Sequence, residues 1–84
     1  MGYYVYMLLC EDGSYYTGYT RDLVSRVKQH LEGRGGKYTR IKGVQRVVYT
    51  ELIKTRTDAM KREREIKKLT HHQKQGLISS QSKK

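Results

Sequence analysis

The chain has 84 residues, and its 18 Lys and Arg outnumber 8 Asp and Glu, for a formal charge of +10. That length permits one domain, and a chain this short buries only about 60–65% of its unfolded surface. It contains no Pro, Phe or Trp, a single Cys10 that excludes an internal disulfide framework, and no apolar run approaching the length of a bilayer span.

Residues 3–10 (YYVYMLLC) are aromatic, β-branched and apolar, and predict a strand. Glu11-Asp12-Gly13 is a hairpin signal, and a second strand is expected from Ser14 to about Tyr19. A two-residue turn at Asp12-Gly13 would pair Leu9 with Tyr16 and put Tyr6 and Tyr16 on opposite faces. A three-residue turn with Gly13 left-handed would pair Leu8 with Tyr16 and Tyr6 with Gly18, on one face. The residues alone leave both turns open.

From Thr20 or Asp22 to Glu32 the pattern is helical, with Leu23, Val24, Val27 and Leu31 on one stripe and Gly33 as the stop. Residues 33–43 (GRGGKYTRIKG) are expected as a basic loop with room for a short helical turn. Arg46 to about Ile53 predicts a third strand, and Asp58–Leu69 a second amphipathic helix capped by Thr57. His71–Ile78 is expected as a short helix. The fold class is therefore α+β, a small three-stranded antiparallel sheet with helices packed against it in the order β-β-α-β-α-α. Residues 1–78 form the single domain, and residues 79–84 are expected as a frayed basic tail.

The charge favours a polyanionic partner, nucleic acid first, over a membrane surface, for which a bulky apolar face is missing. Five tyrosines, Tyr4, Tyr6, Tyr15, Tyr16 and Tyr19, crowd into the hairpin. Base stacking or phenol–phosphate contacts account for them better than a core does. On a helical wheel Glu63 falls within the inward cluster of Ala59, Ile66 and Thr70, whereas Glu65 points to the solvated side. An inward carboxylate serves either an internal salt bridge, to Arg26 or Arg46, or a metal or catalytic role. Arg26 and His30, four residues apart, share a helix edge. The adjacent His71 and His72 do not face together, and with one Cys no zinc site can be assembled.

Tyr4-Val5-Tyr6, followed ten residues after Tyr6 by Tyr16-Thr17-Gly18, resembles the paired motifs of the GIY-YIG nuclease superfamily. Arg26 lies eight residues beyond Gly18, at the family's arginine position, and His30 stands where members carry Tyr or His. Glu63 matches the family's metal-binding acidic residue. The resemblance spans about residues 3–69 and is nearest to the small stand-alone bacterial members. Tyr4 stands where the family name has Gly, and Thr17 where it has Ile. The chain contains no Asn, which several characterised members use beyond the glutamate.

The resemblance requires the three-residue turn, with Gly18 leaving room for a phosphate. It implies a metal-dependent endonuclease-type phosphodiesterase, with Tyr6, Tyr16, Arg26, His30 and Glu63 as catalytic residues. One divalent cation, Mg²⁺ or Mn²⁺, would sit at Glu63. Tyr6 would take a proton from the attacking water, its phenol made more acidic by Arg26 and the metal; Tyr16 would orient, and His30 would relay protons or contact phosphate. Tyr19, Lys37, Arg40 and Lys42 are the expected nucleic-acid contacts, with DNA ahead of RNA as substrate. The expected setting is a cytoplasmic monomer, its targeting left to its own surface or a partner protein. The missing Asn keeps a second reading alongside, a non-catalytic nucleic-acid-binding module on the same scaffold.

Overall fold

A computed structural model of the chain describes residues 2–82. Three strands, β1 (Tyr3–Cys10), β2 (Tyr15–Thr20) and β3 (Val44–Ile53), form an antiparallel sheet in the order β2-β1-β3. Four helices accompany them: α1 (Leu23–Leu31), α2 (Lys37–Lys42), α3 (Arg56–Lys67) and α4 (His71–Ser82). None of these helices is long and apolar enough to cross a membrane.

The central strand explains the layering. Val5, Tyr6, Met7, Leu8 and Cys10 of β1 are all buried, so this strand is covered on both faces and reads as a nearly continuous apolar run. On one face Val5 and Met7 pack with Tyr49 of β3 and with Ala59 and Ile66 of α3. Each fully buried aliphatic chain of this kind contributes about 1.5–3 kcal/mol. On the other face Tyr6 meets His30 of α1.

The β1–β2 turn has three residues. The Cys10 amide donates to the Ser14 carbonyl at 2.8 Å, the Gly13 amide donates to the Cys10 carbonyl at 3.0 Å, and Gly13 has φ +87°. A side chain at that φ is strained, so Gly is the residue that closes this turn. The Asp12 carboxylate accepts from the Ser14 amide at 3.0 Å and braces it. The resulting register pairs Leu8 with Tyr16 and Tyr6 with Gly18, as the superfamily resemblance requires.

Helix α1 starts at Asp22, whose carboxylate accepts from the Ser25 amide at 3.1 Å. It stops at Gly33 (φ +79°), where the Gly33 amide donates to the His30 carbonyl and the Arg34 amide to the Gln29 carbonyl, a Schellman closure. The helix buries His30 rather than its apolar stripe. Val24 is 81% exposed and Leu31 54% exposed, and the stripe lies beside Val47 on β3 in a shallow apolar groove.

Three expected boundaries are corrected. Helix α3 is capped by Thr55, not Thr57, because the Thr55 hydroxyl accepts from the Asp58 amide at 3.1 Å. Thr55-x-x-Asp58 is a capping pattern that Thr57 lacks, so the helix begins and ends two residues earlier than the apolar spacing suggested. Strand β3 starts at Val44, paired with Cys10, rather than at Arg46. The segment expected to fray from Ser79 continues as α4 to Ser82, while Lys83 and Lys84 lie outside the described residues. Two tethers hold α4. The Thr70 amide donates to Gln73 Oε1 at 2.9 Å while the Gln73 amide donates to Thr70 Oγ1 at 3.1 Å. At the other end the Gln81 amide group bonds both backbone groups of Thr50 on β3, at 2.6 and 3.2 Å.

Candidate active site

The hairpin register sets the site. Because side chains alternate along a strand, Tyr6, Tyr16 and Gly18 project from one face. The Tyr6 and Tyr16 ring centroids are 6.4 Å apart. A Cβ on Gly18 would lie 2.6 Å from the Tyr6 hydroxyl. The absent side chain makes room for the Tyr6 phenol, and the glycine also lines the open cleft beside it.

Below Tyr6 lies a buried polar chain. The Tyr6 hydroxyl is 3.0 Å from His30 Nε2, and His30 Nδ1 is 2.7 Å from Thr39 Oγ1. The Gly36 carbonyl lies 3.4 Å from the Thr39 hydroxyl. Two proton arrangements satisfy this chain: with Nδ1 protonated the ring donates to Thr39 and accepts from Tyr6 at Nε2, and with Nε2 protonated both bonds run the other way. Tyr6, His30 and Thr39 are all at most 2% exposed. Gly35 packs its backbone so closely on the His30 ring that no side chain fits there.

Burial sets the protonation. It pushes the Tyr6 phenol well above its usual value, as does Tyr16 beside it, and the opposing pull of Arg26 is smaller. Arg26 thus acts on this phenol in the expected direction, but burial outweighs it in the free protein. Burial, with help from Arg26, pulls His30 below its ordinary 6.5. A protonated tyrosine thus meets a neutral imidazole.

Arg26 and Glu63 reach the same place from different helices. With Tyr6, Tyr16, Gly18 and Tyr19 they line an open cleft of about 370 Å³ on the β2 side of the sheet. Arg26 is exposed, and the Glu63 side chain retains 18% exposure. Among the described residues Glu63 has one ion pair, with Lys67 at 3.6 Å; neither Arg26 nor Arg46 pairs with it. Glu65 is 64% exposed and accepts from Arg62, on the solvated side as expected.

Among the described residues no set of three or more His, Cys, Asp or Glu gathers to enclose a metal. Glu63 instead offers one carboxylate to an open cleft. That suits Mg²⁺ or Mn²⁺, hard cations commonly bound by one or two carboxylates, with waters and substrate phosphates completing the shell.

The remaining expected contacts separate into groups. Lys37 and Arg40 line a second, basic hollow of about 400 Å³ together with Arg34 and two glycines. Lys42 is elsewhere, its ammonium 2.8 Å from Asp12 at the hairpin turn. Tyr19 stacks edge-on with Tyr3 at 6.4 Å and accepts from Arg56 at 3.4 Å. Three residues escaped the sequence reading: Thr39, Gly35 and Tyr38, whose ring extends the tyrosine row 5.7 Å from Tyr16. Gly35 and Thr39 sit in a segment that reads as a plain basic loop, and their partner His30 lies in another element.

Comparison with known proteins gives a consistent result. The family model for the GIY-YIG catalytic domain matches residues 2–76. A UPF0213 protein of Clostridium perfringens is 51% identical over 79 residues, 94% of this chain and 85% of that one. One from Halalkalibacterium halodurans is 47% identical over 79 residues, 94% and 84% of the two chains. Two solution NMR structures are similar. That of a UPF0213 protein from Bacillus halodurans has TM-score 0.60 and 47% identity, covering 94% of this chain and 84% of that one. That of a protein from E. faecalis has TM-score 0.66 and 40% identity, covering 100% and 90%.

Proposed function

The chain belongs to the GIY-YIG family, and on that premise we propose that it is a metal-dependent nuclease hydrolysing the nucleic-acid backbone in the tyrosine-lined cleft. The observation that carries this reading is the Tyr6–His30 hydrogen bond, at 3.0 Å, beside a cleft that also holds Tyr16, Arg26 and Glu63.

Arg26 clamps the scissile phosphate, its exposed guanidinium free to make paired, charge-assisted bonds that strengthen as negative charge builds. Tyr6, protonated at neutral pH, accepts the proton of the attacking water only as it passes its own to His30 Nε2. His30 is suited to that part because it is neutral and its Nε2 is already within hydrogen-bond distance of the phenol. Tyr16 orients the water or the phosphate from the adjacent strand. Glu63 would hold one Mg²⁺ or Mn²⁺ ion, which would supply Lewis-acid charge stabilisation for hydrolysis of the phosphodiester. Lys37 and Arg40 track the backbone without reading sequence, and Tyr19 offers a ring to a base.

Labelled single-stranded, double-stranded, nicked and branched DNA, with matching RNA, tests this directly when incubated with purified protein with and without Mn²⁺. Cation-dependent cleavage of at least one substrate is expected. Binding without cleavage of any would favour the non-catalytic module, the reading that the missing Asn supports.

A further inference from the structure

We propose that Thr39 is a positioning residue: it holds His30 in the tautomer whose Nε2 is free to take the Tyr6 proton. This rests on the proton path proposed above. The two ring nitrogens of a neutral histidine are not equivalent, and the hydrogen bond made by one decides which carries the proton. A free neutral histidine favours the Nε2–H form, which cannot accept from a phenol at that nitrogen. Something must therefore stabilise Nδ1–H here.

Thr39 is placed to do so. It is 1% exposed, its hydroxyl oxygen is 2.7 Å from His30 Nδ1, and the Gly36 carbonyl, 3.4 Å away, offers an acceptor for its own proton. With its proton on that carbonyl, Thr39 is an acceptor toward His30. The close backbone of Gly35 leaves the ring little freedom to flip away. A carboxylate in this position would hold the same tautomer but would draw a second proton onto the ring, so a neutral hydroxyl keeps the imidazole ready to accept.

The test combines long-range ¹H–¹⁵N spectra of histidine-labelled protein with cleavage kinetics, for the wild type, Thr39→Ser and Thr39→Val. In the wild type and in Thr39→Ser, His30 should show a protonated Nδ1 and an unprotonated Nε2. In Thr39→Val the populations should move toward Nε2–H. Its kcat should fall about a hundredfold, the loss expected when general acid–base assistance is removed, with KM changed less than twofold. Thr39→Ser should recover most of kcat.

An Nε2–H signal in the wild type overturns the proposal, as does a Thr39→Val protein with an unchanged tautomer and unchanged kcat. Should Thr39→Val fail to fold, Thr39→Ala, which also removes the hydroxyl, takes its place in both measurements, with the same shift toward Nε2–H and the same loss of kcat expected and their absence overturning the proposal. A wild type that shows the Nδ1–H form yet cleaves nothing overturns the nuclease reading, and with it a part for Thr39 in that reaction, while the hydrogen bond itself stands.

Discussion

Gly18 faces Tyr6 across the β1–β2 ladder, and a Cβ at Gly18 would lie 2.6 Å from the Tyr6 hydroxyl and 2.8 Å from its ring carbon Cζ. The ring is stiff and its hydroxyl is already bonded to His30, so it cannot yield without breaking that bond. Gly18→Ala should therefore cost about 1–3 kcal/mol of stability, as overpacking does. Thermal unfolding measures the first effect, and cleavage per folded molecule should fall as well. An unchanged melting temperature would mean that Tyr6 has room the structure does not show.

The neighbouring residue predicts the opposite sign. Thr17 is 3% exposed, and its hydroxyl has no hydrogen-bond partner among the described residues. An unsatisfied buried hydroxyl costs about 1–3 kcal/mol. Thr17→Val keeps the shape and removes the polar atom, so it should stabilise by about 1 kcal/mol, which raises the melting temperature of a domain this size by about 4–8 °C. A lower melting temperature would show that the hydroxyl is bonded in solution.

The basic residues divide by their present partners. If Lys37 and Arg40 contact phosphates, Lys37→Ala and Arg40→Ala should each flatten the slope of log K against log[salt] by about one unit, with sequence preference unchanged. Lys42 already pairs with Asp12 at 2.8 Å, so Lys42→Ala should leave the slope nearly unchanged. Fluorescence anisotropy with labelled DNA over a salt series reads all three. Equal effects at all three positions would show that the Asp12 pair gives way to the nucleic acid.

Local signals decided how much was legible from sequence. The hairpin was, because Glu11-Asp12-Gly13 fixes a turn and the alternation around it fixes which tyrosines share a face, once the superfamily resemblance had chosen the turn length. The inward turn of Glu63 was also legible, from its phase against Ala59 and Ile66. Helix α1 was not read correctly from its pattern. Periodicity ranks residues by hydrophobicity and so favours Val24 and Leu31 as the inward face, yet the helix buries His30. What makes that burial tolerable is a pair of hydrogen bonds to Tyr6 and Thr39, 24 and 9 residues away, which no local pattern records. The same holds for α4, whose last turns are tied by Gln81 to Thr50 across 31 residues.

If Glu63 serves hydrolysis rather than the fold, the cleavage rate of Glu63→Gln per folded molecule, measured with Mn²⁺ beside Glu65→Gln and the wild type, will show it. The amide keeps the shape of the side chain, and the ion pair it gives up among the described residues, with Lys67 at 3.6 Å, is an i,i+4 surface pair of small worth. Melting temperature should therefore stay within a few degrees, and nucleic-acid binding should hold or tighten as a negative charge leaves the cleft. Cleavage should fall by about two orders of magnitude or more, while Glu65→Gln should cleave as the wild type does. A Glu63→Gln protein that cleaves at the wild-type rate, or a Glu65→Gln protein that does not cleave, would contradict the account.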